Sequence, residues 1–123
     1  MKEGIDTLVV DDEESIVFSL EFLLKKEGYH VRTAANGVLA LEAFKEAQPD
    51  IILLDVMMPE MDGYETAKQI RALDPTSKTS IIFLTAKGTT RDRREGYMSG
   101  ADDYVVKPFE NEAILEKIRE KTY

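Results

Sequence analysis

Asp50-Ile51-Ile52-Leu53-Leu54-Asp55-Val56-Met57-Met58-Pro59 is the stretch that decides the fold. The apolar run from Ile51 to Leu54 is too short for an ordinary helix and is β-branched at Ile51 and Ile52. It therefore reads as a strand buried on both faces. The run delivers one carboxylate, Asp55, into a turn closed by Pro59 and Gly63. An aspartate at the carboxyl end of such a strand lies where parallel α/β sheets place their chemistry. Three other strand ends repeat that placement.

Upstream, Thr7 to Val10 is a first buried strand, ended by Asp11-Asp12-Glu13-Glu14. Ser15 to Glu27 carries Ile16, Leu20, Leu23 and Leu24 at helical spacing, and Gly28 stops that helix. Tyr29 to Ala34 alternates in part and reads as a second strand. Asn36-Gly37 turns the chain into a helix with Leu41, Phe44 and Ala47 facing inward, ended before Pro49. Downstream of the opening stretch, a helix near Tyr64 to Leu73 is stopped by Asp74-Pro75. Ser80 to Leu84 is a fourth strand ending in Thr85-Ala86, followed by a helix near Arg91 to Ser99 closed by Gly100. Asp103 to Val106 is a fifth strand ending in Lys107-Pro108, and a last helix runs from about Glu110 to Lys121 with Ile114, Leu115 and Ile118 inward.

Strict alternation of five strands and five helices implies an α/β fold: a doubly wound parallel sheet with right-handed crossovers and helices on both faces. The pattern alone leaves the strand order open between 2-1-3-4-5 and others. At 123 residues the chain is expected to form a single domain over 1–123. Its 43% hydrophobic and 33% charged content is that of a globular protein. No apolar run approaches the roughly 18–20 residues of a membrane span, and Met1-Lys2-Glu3-Gly4 leads into no signal-peptide core. With no cysteine, thiol and zinc-thiolate chemistry are excluded, and a cytoplasmic location is expected. A net charge of −8 argues against direct nucleic-acid binding and against an anionic membrane, and suits a divalent cation or a basic partner patch.

Four strand ends carry Asp11 and Asp12, Asp55, Thr85, and Lys107. Each has a plainer reading alone: a helix cap, a turn residue, a helix-start hydroxyl, a solvated charge. All four at strand ends of one short chain favour a shared site. Converged, three carboxylates repel; one pair at about 4 Å costs on the order of 4 kcal/mol at an effective dielectric near 20. A hard cation such as Mg²⁺ relieves that repulsion and completes its shell with water and phosphate. Lys107 and Thr85 would then face phosphoryl oxygens as charge and hydroxyl, with Asp55 as the nucleophile. Asp12→Ala is accordingly expected to stabilise the metal-free fold while abolishing Mg²⁺ binding.

At these residues the chain resembles the receiver domain of two-component response regulators over nearly its whole length. The matching stretches are Leu8-Val9-Val10-Asp11-Asp12-Glu13, Leu53 to Gly63, Leu84-Thr85-Ala86, and Gly100 to Phe109. The resemblance implies the flavodoxin-like order 2-1-3-4-5 found in chemotaxis regulators. It further implies that Asp55 accepts a phosphoryl group from a histidine kinase or histidine phosphotransfer protein, without turnover of an independent substrate. Asp11, Asp12, Asp55 and the Met57 backbone carbonyl would hold Mg²⁺, with Mn²⁺ as a substitute. Lys107 would pair with the phosphoryl group, its loop shaped by a cis peptide before Pro108. Thr85 and Tyr104 would form the switch that alters the face made by the fourth helix, fifth strand and fifth helix, controlling a downstream effector or output domain, or a phosphorylation-dependent homodimer. Met57 and Lys87 would flank the path of hydrolytic water; apolar Met57 cannot orient a water, which predicts a longer phosphoryl lifetime than in fast chemotaxis-type members.

Other features are read as structural. His30, the only histidine, is expected on the surface, and Arg91, Arg93 and Arg94 as a solvated helix face with Asp92 and Glu95. Met57, Met58 and Met61 are expected to pack the turn. A flavin-binding protein of this architecture is disfavoured because Asp11 to Glu14 would repel an FMN phosphate. A phosphohydrolase using an aspartyl-phosphate would want a second acid where Val56 and Met57 stand. A degenerate receiver serving only as a dimerisation surface conflicts with the intact set of site residues.

Overall fold

The computed structural model describes residues 4–76, 78–86 and 90–122. In chain order it contains β1 (Asp6–Val10), α1 (Glu14–Lys26), β2 (His30–Ala34), α2 (Gly37–Glu46), β3 (Ile51–Asp55), α3 (Gly63–Leu73), β4 (Ser80–Thr85), α4 (Thr90–Met98), β5 (Asp103–Val106) and α5 (Asn111–Thr122). The strands form one parallel sheet in the order β2-β1-β3-β4-β5. All five residues of β3, at the centre, are buried.

Alternate residues along each strand feed two cores, because strand side chains point to opposite faces. Leu8, Val10, Ile52, Leu54, Ile81 and Phe83 pack on one face with Ala40, Leu41 and Phe44 of α2 and Ala67 and Ile70 of α3. Val9, Ile51, Leu53, Ile82, Leu84 and Val105 pack on the other with Leu20 and Leu24 of α1 and Ile114, Leu115 and Ile118 of α5.

Local chemistry sets the element ends. Gly28, at φ +90°, ends α1: its N–H donates to the Lys25 carbonyl, and the Tyr29 N–H donates to that of Leu24. That pair of bonds is the Schellman arrangement. Asn36 caps α2 by accepting from the Leu39 N–H at 2.8 Å, and Asp62 caps α3 by accepting from the Glu65 N–H at 2.9 Å. Ala47, expected inward, instead lies beyond α2 in extended backbone and is exposed. Arg32 caps that end. Its guanidinium donates to the carbonyls of Ala43 and Ala47 at 2.8 and 2.6 Å, the first of which also accepts from the Ala47 N–H. Gly37 and Ala40 take the inward places beside Leu41 and Phe44.

Candidate functional site

Sheet register brings the strand ends together. Val10 pairs with Leu54, so the next residues, Asp11 and Asp55, emerge side by side. Asp55 pairs with Leu84 and Thr85 with Val106, placing Thr85 and Lys107 along the same rim. The Lys107 N–H donates to the Thr85 carbonyl at 2.7 Å, carrying the chain straight from β5 into the site. The Lys107–Pro108 peptide is cis.

Carboxylate oxygens of Asp11, Asp12 and Asp55 lie within 4.8 Å of one another. Asp11 and Asp55 are buried and Asp12 is exposed. The Lys107 ammonium sits among them, donating to Asp11 Oδ2 at 2.9 Å and to Asp55 Oδ1 at 3.4 Å. It also reaches Glu13 Oε1 at 3.5 Å, a contact the sequence reading did not assign although Glu13 closes the acidic run. Asp11 has a structural task as well. Its Oδ1 accepts from the Glu13 N–H at 2.9 Å, shaping the turn before α1, whereas Glu13 stands at the helix N-cap with no side-chain cap bond.

Lys107 is thus shared unequally, and the two buried acids differ. Burial, and then the Asp11 charge, push the Asp55 carboxyl up from 3.8 to about 7, against the lowering effect of Lys107. Burial alone would lower the Lys107 ammonium, but its bonds to Asp11 and the charges of Asp11 and Asp55 raise it overall. An all-oxygen set of three carboxylates is the donor chemistry of a hard divalent cation, and the residues present fit one.

The remaining predicted residues fall around this centre. The Met57 N–H donates weakly to Asp55 Oδ1 at 3.4 Å, while its side chain is 57% exposed. Met57 therefore does not pack the turn; Met58 is buried and Met61 rests on the core. Gly63 lets the turn close on the nucleophile candidate: a Cβ there would collide with the Asp55 carbonyl oxygen and lie 2.8 Å from Val56 Cα. Thr85 is buried and lines a narrow cleft with Val56, Phe83, Tyr97 and Tyr104. Tyr104 is half-buried there, edge-to-face with Tyr97 at 6.1 Å between ring centres. Arg93, read as a solvated charge, has its guanidinium carbon 4.6 Å from the centre of the Tyr104 ring. Arg94 and Glu95 are exposed, as is His30. Lys87 and the Arg91 side chain lie outside the described residues.

A buried carboxylate at the switch point of a 2-1-3-4-5 sheet, flanked by two acids and a lysine, marks an α/β protein with an acidic pocket of the kind that fits a phosphoacceptor. Residues 7–119 match the family model of the response regulator receiver domain, and the chain belongs to that family. It is 47% identical over 112 residues to the probable transcriptional regulator ycf27 of Guillardia theta, covering 91% of this chain and 43% of that protein. The ycf27 protein of Pyropia yezoensis is 48% identical over 112 residues, covering 91% of this chain and 45% of its own length. The chain thus spans less than half of these curated relatives. Among solved structures, the Vibrio cholerae chemotaxis protein CheY4 superposes with a TM-score of 0.91 at 36% identity, covering 95% of this chain and 98% of the other. The BeF3-activated DrrB receiver domain superposes at 0.85 with 31% identity, covering 95% and 97%. Among the described residues no helix is long and apolar enough to cross a membrane.

Proposed function

We propose that residues 1–123 act as one receiver unit in which Asp55 accepts a phosphoryl group from a histidine kinase or histidine phosphotransfer protein. The observation that carries this reading is the geometry of Asp55 itself: buried, beside Asp11, and within 3.4 Å of the Lys107 ammonium. A carboxylate oxygen of Asp55 attacks the phosphorus of the donor phosphohistidine. The P–N bond breaks as the new P–O bond forms, the electron pair leaves with the imidazole nitrogen, and that nitrogen takes up a proton. Lys107, already aimed at Asp55, steadies the added phosphoryl charge, and the Thr85 hydroxyl serves as a further donor to it. Mg²⁺, with Mn²⁺ as a substitute, would be held by Asp11, Asp12, Asp55 and the Met57 carbonyl, and would supply charge that favours ionised Asp55 and screens phosphoryl oxygens.

Movement of Thr85 toward the phosphoryl group would change the cleft it shares with Tyr104. The altered face of α4, β5 and α5 would then engage a downstream effector, an output domain or a second copy. The protein works in the cytoplasm as a signalling module rather than as a turnover enzyme, and self-catalysed loss of the phosphoryl group resets it.

Borohydride reduction after incubation with acetyl phosphate and Mg²⁺ tests the acceptor. Peptide mapping should find the reduced side chain at Asp55. Reduction at Asp11 or Asp12 instead would reassign the nucleophile.

A further inference from the structure

The cleft at the end of β4 is bounded by Val56, Phe83, Thr85, Arg93, Tyr97 and Tyr104. Its water-sized space is about 10 Å³, room for about one water and far less than an aromatic ring. The Tyr104 ring therefore stays at the mouth unless a wall moves. Two side chains hold it there. The Arg93 guanidinium lies 4.6 Å from its centre, and Tyr97 meets it with the ring planes at 76°. Both come from α4.

Few of the described side chains of α4 reach the core. Among its described residues only Gly96 is buried, with Ser99 just beyond its end, and its exposed residues include Tyr97 and Met98. Gly96 lets the helix lie close on the sheet, since a Cβ there would come 3.1 Å from the Phe83 ring. Side-chain contacts to β5 therefore contribute to the placement of this largely polar helix. One such contact is a cation over the ring of Tyr104.

We propose that Arg93 is a positioning residue whose guanidinium holds Tyr104 at the mouth of the Thr85 cleft, so that the placement of α4 and the state of the Asp55 site are coupled through one ring. The coupling to Asp55 rests on the phosphoacceptor reading above; the hold on Tyr104 does not. Exposed cation–π contacts are weak, so releasing this one should change the balance of ring positions by about two- to fivefold. A lysine keeps the charge but not the planar stack, and should hold the ring less well.

The test compares the wild type with Arg93→Ala and Arg93→Lys. Arg93 is exposed, so all three should fold, as circular dichroism would verify. Ring signals of ¹³C-labelled tyrosine, with Tyr104 assigned through Tyr104→Phe, report the hold without any phosphodonor. The labelling rate with acetyl phosphate and Mg²⁺ reports the coupling. Tyr104 signals should shift in Arg93→Ala and shift less in Arg93→Lys, and the labelling rate of Arg93→Ala should rise about two- to fivefold. Unchanged Tyr104 signals in Arg93→Ala would overturn the hold, and shifted signals with an unchanged rate would overturn the coupling. A wild type that takes up no phosphoryl group would instead remove the phosphoacceptor reading, while the ring signals would still decide the role of Arg93.

Discussion

Asp55 is a carboxyl that its own surroundings keep partly protonated near neutral pH. Its folded value of about 7 stands above the ordinary 3.8, so the folded chain binds this proton more tightly than the unfolded one. Between about pH 4 and pH 7 the native state therefore holds more protons, and stability of the metal-free protein should fall as pH rises through that window and level off above it. Asp55→Asn should remove the slope, gaining at most roughly 4 kcal/mol over the wild type at pH 8 and little at pH 4, as urea titrations at both pH values would show. Divalent cation should abolish the same slope in the wild type by favouring the ionised form. Asp12 is exposed, so Asp12→Ala should stabilise the metal-free protein by less than about 1 kcal/mol, while still weakening cation binding. Lys107 has the opposite sign. Removing it leaves buried Asp11 without its 2.9 Å partner, and Lys107→Ala should cost about 3 kcal/mol in metal-free urea melts. Met57 lies open to solvent beside Asp55, and Met57→Asn should shorten the phosphoryl lifetime; an unchanged decay would count against water access at that position.

At the level of elements, the junction of β3 and α3 is where backbone and chemistry meet. The Gly63 N–H donates to the Val56 carbonyl at 2.9 Å, and its missing side chain leaves room for the Asp55 carbonyl. Gly63→Ala should therefore lower stability by about 2 kcal/mol and slow labelling of Asp55, because the collision involves backbone that cannot step aside. Thermal melts and acetyl phosphate kinetics read both effects. Sequence periodicity was enough for all ten elements, since β-branched runs and helical spacing each point to one structure. The strand order came only with the resemblance, because parallel strands carry no mark of their neighbours. Periodicity does not place Ala47, which leaves the helix at its C-cap, where Arg32, fifteen positions away, takes up its carbonyl. Glu60, at φ +69°, occupies a conformation that favours glycine, and Pro59-Glu60-Met61 shows no glycine to announce it. Arg93 is exposed as expected, but its contact with a ring eleven residues away leaves no periodic trace.

Across the whole molecule, the two ends of the sheet divide the work. The carboxyl ends gather charge for chemistry, and the opposite end is fastened by polar bonds. There, Arg71 donates to the carbonyls of Gly100 and Thr79 at 2.8 and 2.6 Å and pairs with Asp102 at 2.7 Å and with buried Asp74. Asp102 and Asp50 in turn accept from the N–H groups of Ile81 and Asp6. A basic residue in the last turn of a helix looks like a dipole partner in the sequence, so this long-range role was not legible there. Arg71→Ala should cost about 3 kcal/mol by removing a donor from two carbonyls and the cation from buried Asp74, in urea melts at pH 7. Intact mass after incubation with acetyl phosphate, with and without Mg²⁺, on wild type and Asp55→Asn, tests most directly whether Asp55 is the acceptor. One added phosphoryl group that requires both Mg²⁺ and Asp55 is the predicted result. An adduct that persists in Asp55→Asn, or no adduct together with no beryllofluoride complex in the wild type, would contradict it.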